Sequence, residues 1–235
     1  MENDNAFRHE LKYLISKQDM DCCIGRLAQF AKPDPHAKSG RYFVRSLYFD
    51  DMYASAYEDK ESGVASRRKY RIRIYDFDES FIRLEKKIKE GSYVRKESAP
   101  LTRSEYDMIL RGETDFLLER SERAACDFAL GHRVDRLRPE VIVDYERVPF
   151  IYEYGDVRIT FDMNIRSVFD ELDVFAKDSP SYEVLGADQL VMEVKYTEFL
   201  PDIFRAILPG DGCRLAVSKY LMCDSVKRSV KEEIK

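Results

Sequence analysis

Apolar and charged residues alternate along several segments of the chain. The stretch RRKYRIRIY, residues 67–75, has apolar residues on one parity and the cations Lys69, Arg71 and Arg73 on the other. Alternation with a period of two predicts a β-strand with one buried face. Like charges on one face of a strand repel each other. The pattern therefore predicts a strand whose charged face meets a counter-charge.

The same alternation predicts further strands, and loop or helical sequence separates them. These strands are FRHELKYLI at 7–15, RYFVRSLYFD at 41–50, FIRLEKKIK within 80–89, SYVRKES at 92–98, PEVIVDYERVPFIY at 139–152, DVRITFDMNIRSV at 156–168, ELDVFAK at 171–177 and VMEVKY at 191–196. Short connections between neighbouring strands favour antiparallel pairing. Capping sequences that start at Ser16 and Thr102 predict helices between strands.

Two architectures explain the charged parities. In one, a sheet packs its apolar face on the core and exposes its charged face to water. In the other, the strands close into a barrel with a charged lumen, and the apolar parity carries helices on the outside. Several strands of the E-x-K or R-x-R form, together with four or five helical segments, favour the second. We predict an α+β fold with a closed eight-stranded antiparallel barrel and helices packed outside it.

The distribution of charge favours a local anion site. The chain has 39 Lys and Arg and 44 Asp and Glu, a formal net charge of −5. Proteins that bind nucleic acid without sequence preference are usually basic overall, so we expect no nucleic-acid partner. The cations concentrate in residues 67–96, which predicts a cationic site inside a mildly acidic protein.

Cysteine usage and hydropathy predict a cytoplasmic protein. The five cysteines include no CxxC pair, which fits free thiols in a reducing compartment better than a disulfide framework. No apolar run approaches the ~20 residues that span a bilayer. The N-terminal MENDNAFRHE is polar and unlike a signal peptide. We expect one domain over residues 1–235, either cytoplasmic or working beside a membrane.

A lumen lined with Lys and Arg requires a ligand that carries negative charge, because unpaired buried cations are costly. Polyphosphate is the natural candidate, since its oxygens match guanidinium and ammonium donors. Glutamates that alternate with the cations repel phosphate directly. They are explained as ligands of Mg²⁺ or Mn²⁺, which prefer hard oxygen donors.

Five motifs in order along the chain resemble those of a known family. They are HELKYLI near the start, the RIR strand, the LEKK strand, the MEVKY strand and the late SKY. Together they resemble the VTC domain, the polyphosphate polymerase branch of the triphosphate tunnel metalloenzymes, related to CYTH proteins. The resemblance covers roughly residues 6–225. It implies an eight-stranded triphosphate tunnel that binds nucleoside triphosphate, polyphosphate and Mn²⁺ or Mg²⁺.

The resemblance also implies roles for individual residues. Phosphate-binding roles fall on Lys12, Arg71, Arg73 and Lys87, on one of Arg95 and Lys96, which have opposite parity, and on Arg45. Catalytic roles fall on Arg147, Arg158, Glu193 and Lys219. Metal-ligand roles fall first on Glu193 and then on Glu10 and Glu85.

The implied activity is transfer of the γ-phosphate of ATP to a growing polyphosphate chain. The same lumen suits hydrolysis of tripolyphosphate or nucleoside triphosphate, and a binding module without catalysis is a third alternative. Eukaryotic members of the family couple synthesis to a membrane, whereas this sequence has no transmembrane segment. A separate membrane protein is therefore an expected type of partner.

Overall fold

The computed structural model of the chain describes residues 7–62, 64–216 and 218–233. Of these, the side chains of 59–61 and 211 are left undescribed. Most of the N-terminal sequence that we interpreted as unlike a signal peptide, residues 1–6, lies outside the described residues. The assignment of residues 1–235 to one domain stays a prediction.

The described residues form strands, α-helices and short 3₁₀ helices. The strands are β1 Arg8–Ser16, β2 Lys32–Pro33, β3 Tyr42–Asp50, β4 Ser66–Tyr75, β5 Ile82–Glu90, β6 Tyr93–Leu101, β7 Arg138–Tyr152, β8 Val157–Val168, β9 Ser181–Glu183 and β10 Gln189–Tyr196. The α-helices are α1 Lys17–Leu27, α2 Ser55–Glu61, α3 Arg103–Leu110, α4 Arg123–Val134, α5 Asp202–Arg205 and α6 Lys219–Glu233. Short 3₁₀ helices cover Asp115–Glu119 and Asp211–Cys213.

Eight of the strands close a ring. The order around it is β7-β3-β4-β5-β6-β1-β10-β8, and β8 pairs again with β7. All of these pairings are antiparallel. The short strands β2 and β9 pair with β7 and β8. This arrangement confirms the predicted eight-stranded antiparallel fold.

Capping residues set the starts of two helices as the sequence predicted. The Ser16 side chain accepts a hydrogen bond from the backbone N–H of Asp19, whose carboxylate accepts one from the N–H of Ser16. Thr102 and Glu105 form the same reciprocal arrangement at α3. Each capping box satisfies backbone donors that have no partner within the helix.

The apolar parity of the strands faces outward and supports helices. Ile72 of β4 and Leu84 of β5 are fully buried in a cluster with Tyr106 of α3 and Phe128 of α4. A second cluster joins the outer faces of β1, β8 and β10 to α1 and α5. Each buried Leu or Ile contributes roughly 1.5–3 kcal/mol to stability. The opposite parity, which carries the charges, therefore faces the inside of the ring.

Helix α6 departs from the predicted outer position. Its first turn packs Tyr220 and Leu221 against Val143 and Val191, on the inward faces of β7 and β10. These inward positions are apolar at this end of the ring, so the helix packs on them. The tunnel therefore receives side chains from α6 as well as from the strands.

The predicted strand at 171–177 is wrong, because this segment forms turns. The Glu171 carboxylate accepts hydrogen bonds from the backbone N–H groups of Leu172 and Asp173, and the Tyr106 hydroxyl accepts one from Val174. Side chains thus satisfy the backbone donors that a strand would pair with a neighbour.

A cation-lined tunnel as the candidate functional site

The ring encloses a cavity of about 310 Å³. Among the described residues, thirteen Lys and Arg side chains line it, against two carboxylates, Glu10 and Glu193. The cations are Arg8, Lys12, Arg67, Lys69, Arg71, Arg73, Lys87, Lys89, Lys96, Arg147, Arg158, Lys195 and Lys219. This excess of positive charge makes the cavity a site for a polyanion.

Most of the residues that the sequence singled out lie together in this tunnel. Those that line the cavity are Glu10, Lys12, Arg71, Arg73, Lys87, Lys96, Arg147, Arg158, Glu193 and Lys219. Glu85 is buried behind the cavity surface against Arg71 and Lys96. The structure therefore assembles residues from seven strands and one helix at one place, and it leaves out two predicted residues.

Arg45 is the first residue whose predicted place is wrong. It pairs with Ile74, not with Arg73, across β3 and β4, so it faces away from the tunnel. Its guanidinium makes two hydrogen bonds to the Asp144 carboxylate, of 2.8 and 2.7 Å, and stacks on Phe77. Arg45 therefore neutralises a buried carboxylate outside the ring.

Arg95 is the second residue that the tunnel leaves out. In the β5–β6 pair it lies opposite Ile88, whereas Lys96 lies opposite Lys87. Arg95 ion-pairs with Glu97 on the outer face, at 3.1 Å, and stacks on Phe7. The sequence left open which member of this pair points inward, and the structure places Lys96 there.

One side of the tunnel, which we name the β4 wall, consists of Lys69, Arg71, Arg73, Glu85, Lys87 and Lys96 on β4, β5 and β6. Arg71 contacts Glu85 at 2.6 Å and donates to the Tyr48 hydroxyl. Burial favours the neutral form of Glu85, but Arg71 and then Arg73 outweigh it and hold its pKa well below the usual range. Glu85 is thus the shared ion-pair partner of several cations on this wall.

Arg73 is held by neutral oxygen atoms. It donates hydrogen bonds to the hydroxyls of Ser46 and Tyr145, at 3.0 and 2.9 Å, and lies 3.9 Å from the Glu85 carboxylate. Hydroxyl partners orient the guanidinium and leave most of its charge uncompensated. Sequence reasoning missed Tyr145, although its parity, two residues before Arg147, indicates an inward position.

The opposite side, which we name the β10 wall, consists of Glu10, Lys12, Arg147, Asp162, Glu193, Lys195 and Lys219. At its centre the Lys219 ammonium contacts Asp162 at 2.6 Å and Glu193 at 2.7 Å. Arg147 makes two hydrogen bonds to Asp162, of 2.6 and 2.8 Å. The charges on this wall are therefore largely paired.

Asp162 is a residue of the tunnel's charge network to which sequence reasoning assigned no role. It is fully buried. Burial raises the pKa of its carboxyl, but Arg147 and Lys219 outweigh burial and lower it. Burial likewise opposes the charge of Lys219, and Asp162 and Glu193 outweigh it and raise the pKa of that ammonium. Asp162 thus keeps Lys219 charged inside the tunnel.

Glu10 and Glu193 form a carboxylate pair that shares two lysines. The Lys12 ammonium lies 3.3 Å from Glu10 and 3.9 Å from Glu193. The Lys195 ammonium lies 3.8 and 3.6 Å from the same two groups, and burial lowers its pKa to about 7. The pKa of Glu10 is lowered, because Lys12 and Lys87 outweigh the effect of its burial.

Arg158 lies on β8 beside Lys195 of β10. Its guanidinium donates to the Asp34 carboxylate at 3.0 Å and to the Tyr42 hydroxyl at 3.1 Å. The structure therefore brings Arg158 into the tunnel lining but holds it toward Asp34, away from the Lys219 ammonium. Asp34 follows the short strand β2.

The carboxylate pair fits a divalent cation that also binds phosphate. In the part of the chain that the structure describes, no group of three His, Cys, Asp or Glu side chains forms a metal site. Mg²⁺ commonly uses one or two carboxylates and takes its other ligands from phosphates and water. Glu10 and Glu193 supply two such carboxylates. Glu85, predicted as a third ligand, lies in the other wall and is not brought to them.

The buried Thr160 supports this assignment. It lies directly opposite Glu193 in the β8–β10 pair. Its hydroxyl is buried and has no hydrogen-bond partner among the described residues. A buried hydroxyl of this kind usually has a partner such as ordered water or an ion-bound water. Thr160 therefore offers one more polar atom beside Glu193 for such a water.

No helix within the described residues has the length and apolar character needed to cross a bilayer.

Comparison with known proteins agrees with this geometry. The family model of the VTC domain matches residues 7–226, whereas no curated protein matches the chain in sequence. PH1012 from Pyrococcus horikoshii OT3 is similar in structure with a TM-score of 0.51 at 11% identity, over 90% of this chain and 96% of that chain.

HpAC1 from Hippeastrum, an adenylyl cyclase-like protein described as having a dominant triphosphatase activity, has a TM-score of 0.52 at 14% identity. The similarity covers 94% of this chain and 96% of that chain. At such identities the similarity establishes the fold alone. The match to the family model covers almost the whole described chain, and the protein belongs to the VTC domain family.

Proposed function

We propose that this protein is an ATP-dependent polyphosphate polymerase. In this reaction the terminal phosphoryl group of ATP is transferred to the end of a polyphosphate chain inside the tunnel. The observation that carries the proposal is the lining of thirteen cations against two carboxylates, in a chain of the VTC domain family. A linear anion with many phosphates can use this excess charge along the whole tunnel.

The length of the cationic surface supports a long anion. Arg67, Lys69, Arg71 and Arg73 occupy alternate positions of β4, and all four line the cavity. Three steps of two residues at ~3.3 Å per residue span about 20 Å. This surface is longer than a triphosphate group requires, so it suits a donor and an acceptor phosphate in the same tunnel.

Catalysis in this proposal rests on positioning and charge neutralisation, as is usual for phosphoryl transfer. Arg71 and Arg73 hold the donor triphosphate from the β4 wall. Lys219 and Arg147, fixed by Asp162, neutralise the charge that develops on the transferred group. Lys12 and Lys87 neutralise neighbouring phosphates. These roles require no covalent intermediate on the protein.

Glu10 and Glu193 would hold Mg²⁺ or Mn²⁺ in the working enzyme. A bound divalent cation supplies charge neutralisation on the phosphate oxygens. The β10 wall would thus provide both the metal ligands and the cations Lys195 and Lys219.

Incubation with γ-labelled ATP and Mn²⁺ or Mg²⁺, with and without a short polyphosphate primer, tests the proposal. Polymerase activity gives labelled polyphosphate whose length increases with time and whose amount rises with primer. Labelled orthophosphate without longer products identifies a triphosphatase and contradicts the proposal. If neither ATP nor tripolyphosphate turns over while polyphosphate binds tightly, the domain is a binding module.

The predicted setting of this activity is the cytoplasm, on the basis of the free cysteines. We further propose a membrane-protein partner that takes up the product. Co-purification of a membrane protein with the tagged chain from detergent-solubilised cells tests that expectation.

A further inference from the structure

Three lysines stand side by side across the β4 wall. Lys69 of β4 lies directly opposite Lys87 of β5, which lies directly opposite Lys96 of β6. All three line the cavity. Like charges directly opposite each other on neighbouring strands destabilise a sheet. We call Lys69, Lys87 and Lys96 the lysine row, and its arrangement costs stability unless counter-charge is present.

The three lysines differ in the counter-charge that the protein supplies. Lys87 contacts the Glu10 carboxylate at 2.8 Å, and Lys96 contacts the Glu85 carboxylate at 3.3 Å. Lys69 has no carboxylate oxygen within ion-pairing distance among the described residues. Its ammonium instead donates to the Ser218 hydroxyl at 3.2 Å and lies 4.6 Å from the centre of the Tyr220 ring.

The surroundings of Lys69 make its charge unfavourable in the free protein. Burial, followed by the neighbouring cations, lowers the pKa of its ammonium to about 6. The groups that face it are Arg67 of β4, Lys87 of β5, Lys96 of β6, Lys12 of β1, Asp50 of β3 and Tyr220 of α6. Asp50 and the Tyr220 ring favour its charged form, but Asp50 already accepts hydrogen bonds from Tyr220 and from backbone N–H groups.

We propose that Lys69 is a further phosphate-binding residue and completes, with Lys87 and Lys96, a subsite for a phosphoryl group on the β4 wall. This inference rests on the proposed function, because it deepens the ligand assignment of the same tunnel. Bound phosphate supplies the counter-charge that the protein withholds from Lys69. The ammonium then turns from Ser218 to the phosphate oxygens, and the row becomes favourable.

Titration of the full-length protein with tripolyphosphate, without metal, tests the subsite. Lys69→Met removes the ammonium and keeps much of the apolar side chain. We expect a roughly ten- to hundredfold weaker Kd, since hydrogen bonds to charged groups contribute on the order of 1.5–3 kcal/mol. Lys69→Arg keeps the charge and should bind within a fewfold of the wild type. Arg68→Met, on the outer face of the same strand beside Asp135, is the matched control and should leave Kd unchanged.

The melting temperature separates a ligand-binding role from a structural one. If Lys69 binds phosphate, Lys69→Met removes a buried amine that the ligand-free tunnel holds at a cost, so the ligand-free protein should melt at the same or a higher temperature. The rise in melting temperature on adding tripolyphosphate should then be smaller than for the wild type. If Lys69 mainly bridges to Ser218 and Tyr220, the ligand-free variant melts lower, and the proposal is overturned.

Proton uptake provides a second readout. Because the pKa of Lys69 lies near 6 in the free tunnel, phosphate binding at pH 7.5 should draw a proton onto it. Calorimetry in two buffers of different ionisation enthalpy measures this uptake. Lys69→Arg stays charged throughout, so it should take up fewer protons than the wild type. Equal uptake in the two proteins overturns the proposal.

Two remaining outcomes separate this inference from the proposed function. A wild-type protein that neither binds nor turns over triphosphates contradicts the proposed function itself. A wild-type protein that binds tripolyphosphate, with Lys69→Met binding equally well, overturns only the role of Lys69. If Lys69→Arg loses binding as fully as Lys69→Met, positive charge at this position is not what the ligand needs, and the role of Lys69 is likewise rejected.

Discussion

The two walls of the tunnel carry similar cations but differ in how far carboxylates of the protein neutralise them. On the β10 wall, the Lys219 ammonium lies within 2.7 Å of both Asp162 and Glu193. On the β4 wall, Glu85 is the carboxylate that serves Arg71, Arg73 and Lys96. Carboxylates of the protein therefore largely neutralise the cations of the β10 wall. The β4 wall keeps an excess of positive charge that a ligand could neutralise.

In the proposed function, this difference assigns turnover and ligand binding to different walls. Paired charges hold catalytic groups and metal ligands in fixed positions, because each partner restricts the other. Poorly compensated cations give affinity, because they gain most from an incoming phosphate. We expect the β10 wall to control turnover and stability, and the β4 wall to control binding.

The largest predicted effect is on turnover and comes from the β10 wall. Glu193→Gln removes a carboxylate of the metal-binding pair, and we expect metal-dependent turnover to fall on the order of 10³-fold, since metal contributes several kcal/mol to such reactions. Lys219 keeps Asp162 as a partner. Steady-state rates at saturating metal measure the loss.

The control for this prediction is Glu183→Gln, which changes an exposed glutamate paired with Arg166 outside the tunnel. It should turn over at the wild-type rate. Metal-free affinity of Glu193→Gln for tripolyphosphate should not weaken, because the β4 wall is intact. Unchanged turnover in Glu193→Gln would remove the metal role from this wall.

The second effect is on binding and comes from the β4 wall. Arg71→Ala removes a guanidinium that faces the cavity, and we expect the Kd for tripolyphosphate to rise roughly 100-fold, the cost of losing a buried charged contact. Arg68→Ala, on the outer face of β4, should leave Kd unchanged. Calorimetric titration measures both. Arg71→Ala binding at wild-type strength would contradict the assignment of affinity to this wall.

The third effect is on stability and comes from the buried network of the β10 wall. Asp162→Asn leaves Arg147 and Lys219 without their shared charge, and we expect the free energy of unfolding to fall by about 3 kcal/mol at pH 7. Urea unfolding measures it. Asp188→Asn, at an exposed turn, is the matched control and should change little.

The stability effect of Asp162→Asn should depend on pH in one direction. The folded pKa of Asp162 is lowered from 3.8, so its ionisation stabilises the fold above pH 3.8. That contribution is lost as pH falls through the lower, folded pKa. The difference between wild type and variant should therefore be constant near neutrality and shrink below pH 4. A difference that grows on acidification would contradict the charge network.

The alternation of residue types was sufficient to predict most of the ring. Tyr70 and Ile72 share a parity that packs outward, and Arg71 and Arg73 share the one that lines the cavity. The failure at 171–177 follows from side chains that take over backbone hydrogen bonding, which period-two patterns do not reveal. The position of α6 inside the ring depends on tertiary contacts with Val143 and Val191.

For two site residues, the parity along the strand indicates which face of the strand the side chain occupies. Arg45 shares its parity with Leu47 and Phe49, both of which pack outward, so the sequence contained the signal against its predicted role. Asp162 shares its parity with Arg158, but its partner Lys219 lies 57 residues later, on a helix whose entry into the ring no local pattern indicates. The proximity of Glu10 to Glu193 likewise depends on the register of β1 against β10, which no local sequence pattern reveals.

The smallest predicted effect compares neighbours on β6 that face opposite ways. Lys96 faces the cavity and its side chain is 31% exposed, so its contribution to binding is screened by water. We expect Lys96→Gln to weaken tripolyphosphate binding about threefold, in keeping with the value of partly exposed ion pairs. Arg95→Gln, which removes a charge of the same sign one residue away, should leave Kd unchanged because Arg95 contacts Glu97 outside the ring. Titration of both variants at low and high salt measures this difference, and the Lys96→Gln effect should shrink as salt screens the phosphate. A larger loss in Arg95→Gln than in Lys96→Gln would mean that the anion binds to the outer face of β6, and the distinction between the walls would then have to be abandoned on that strand.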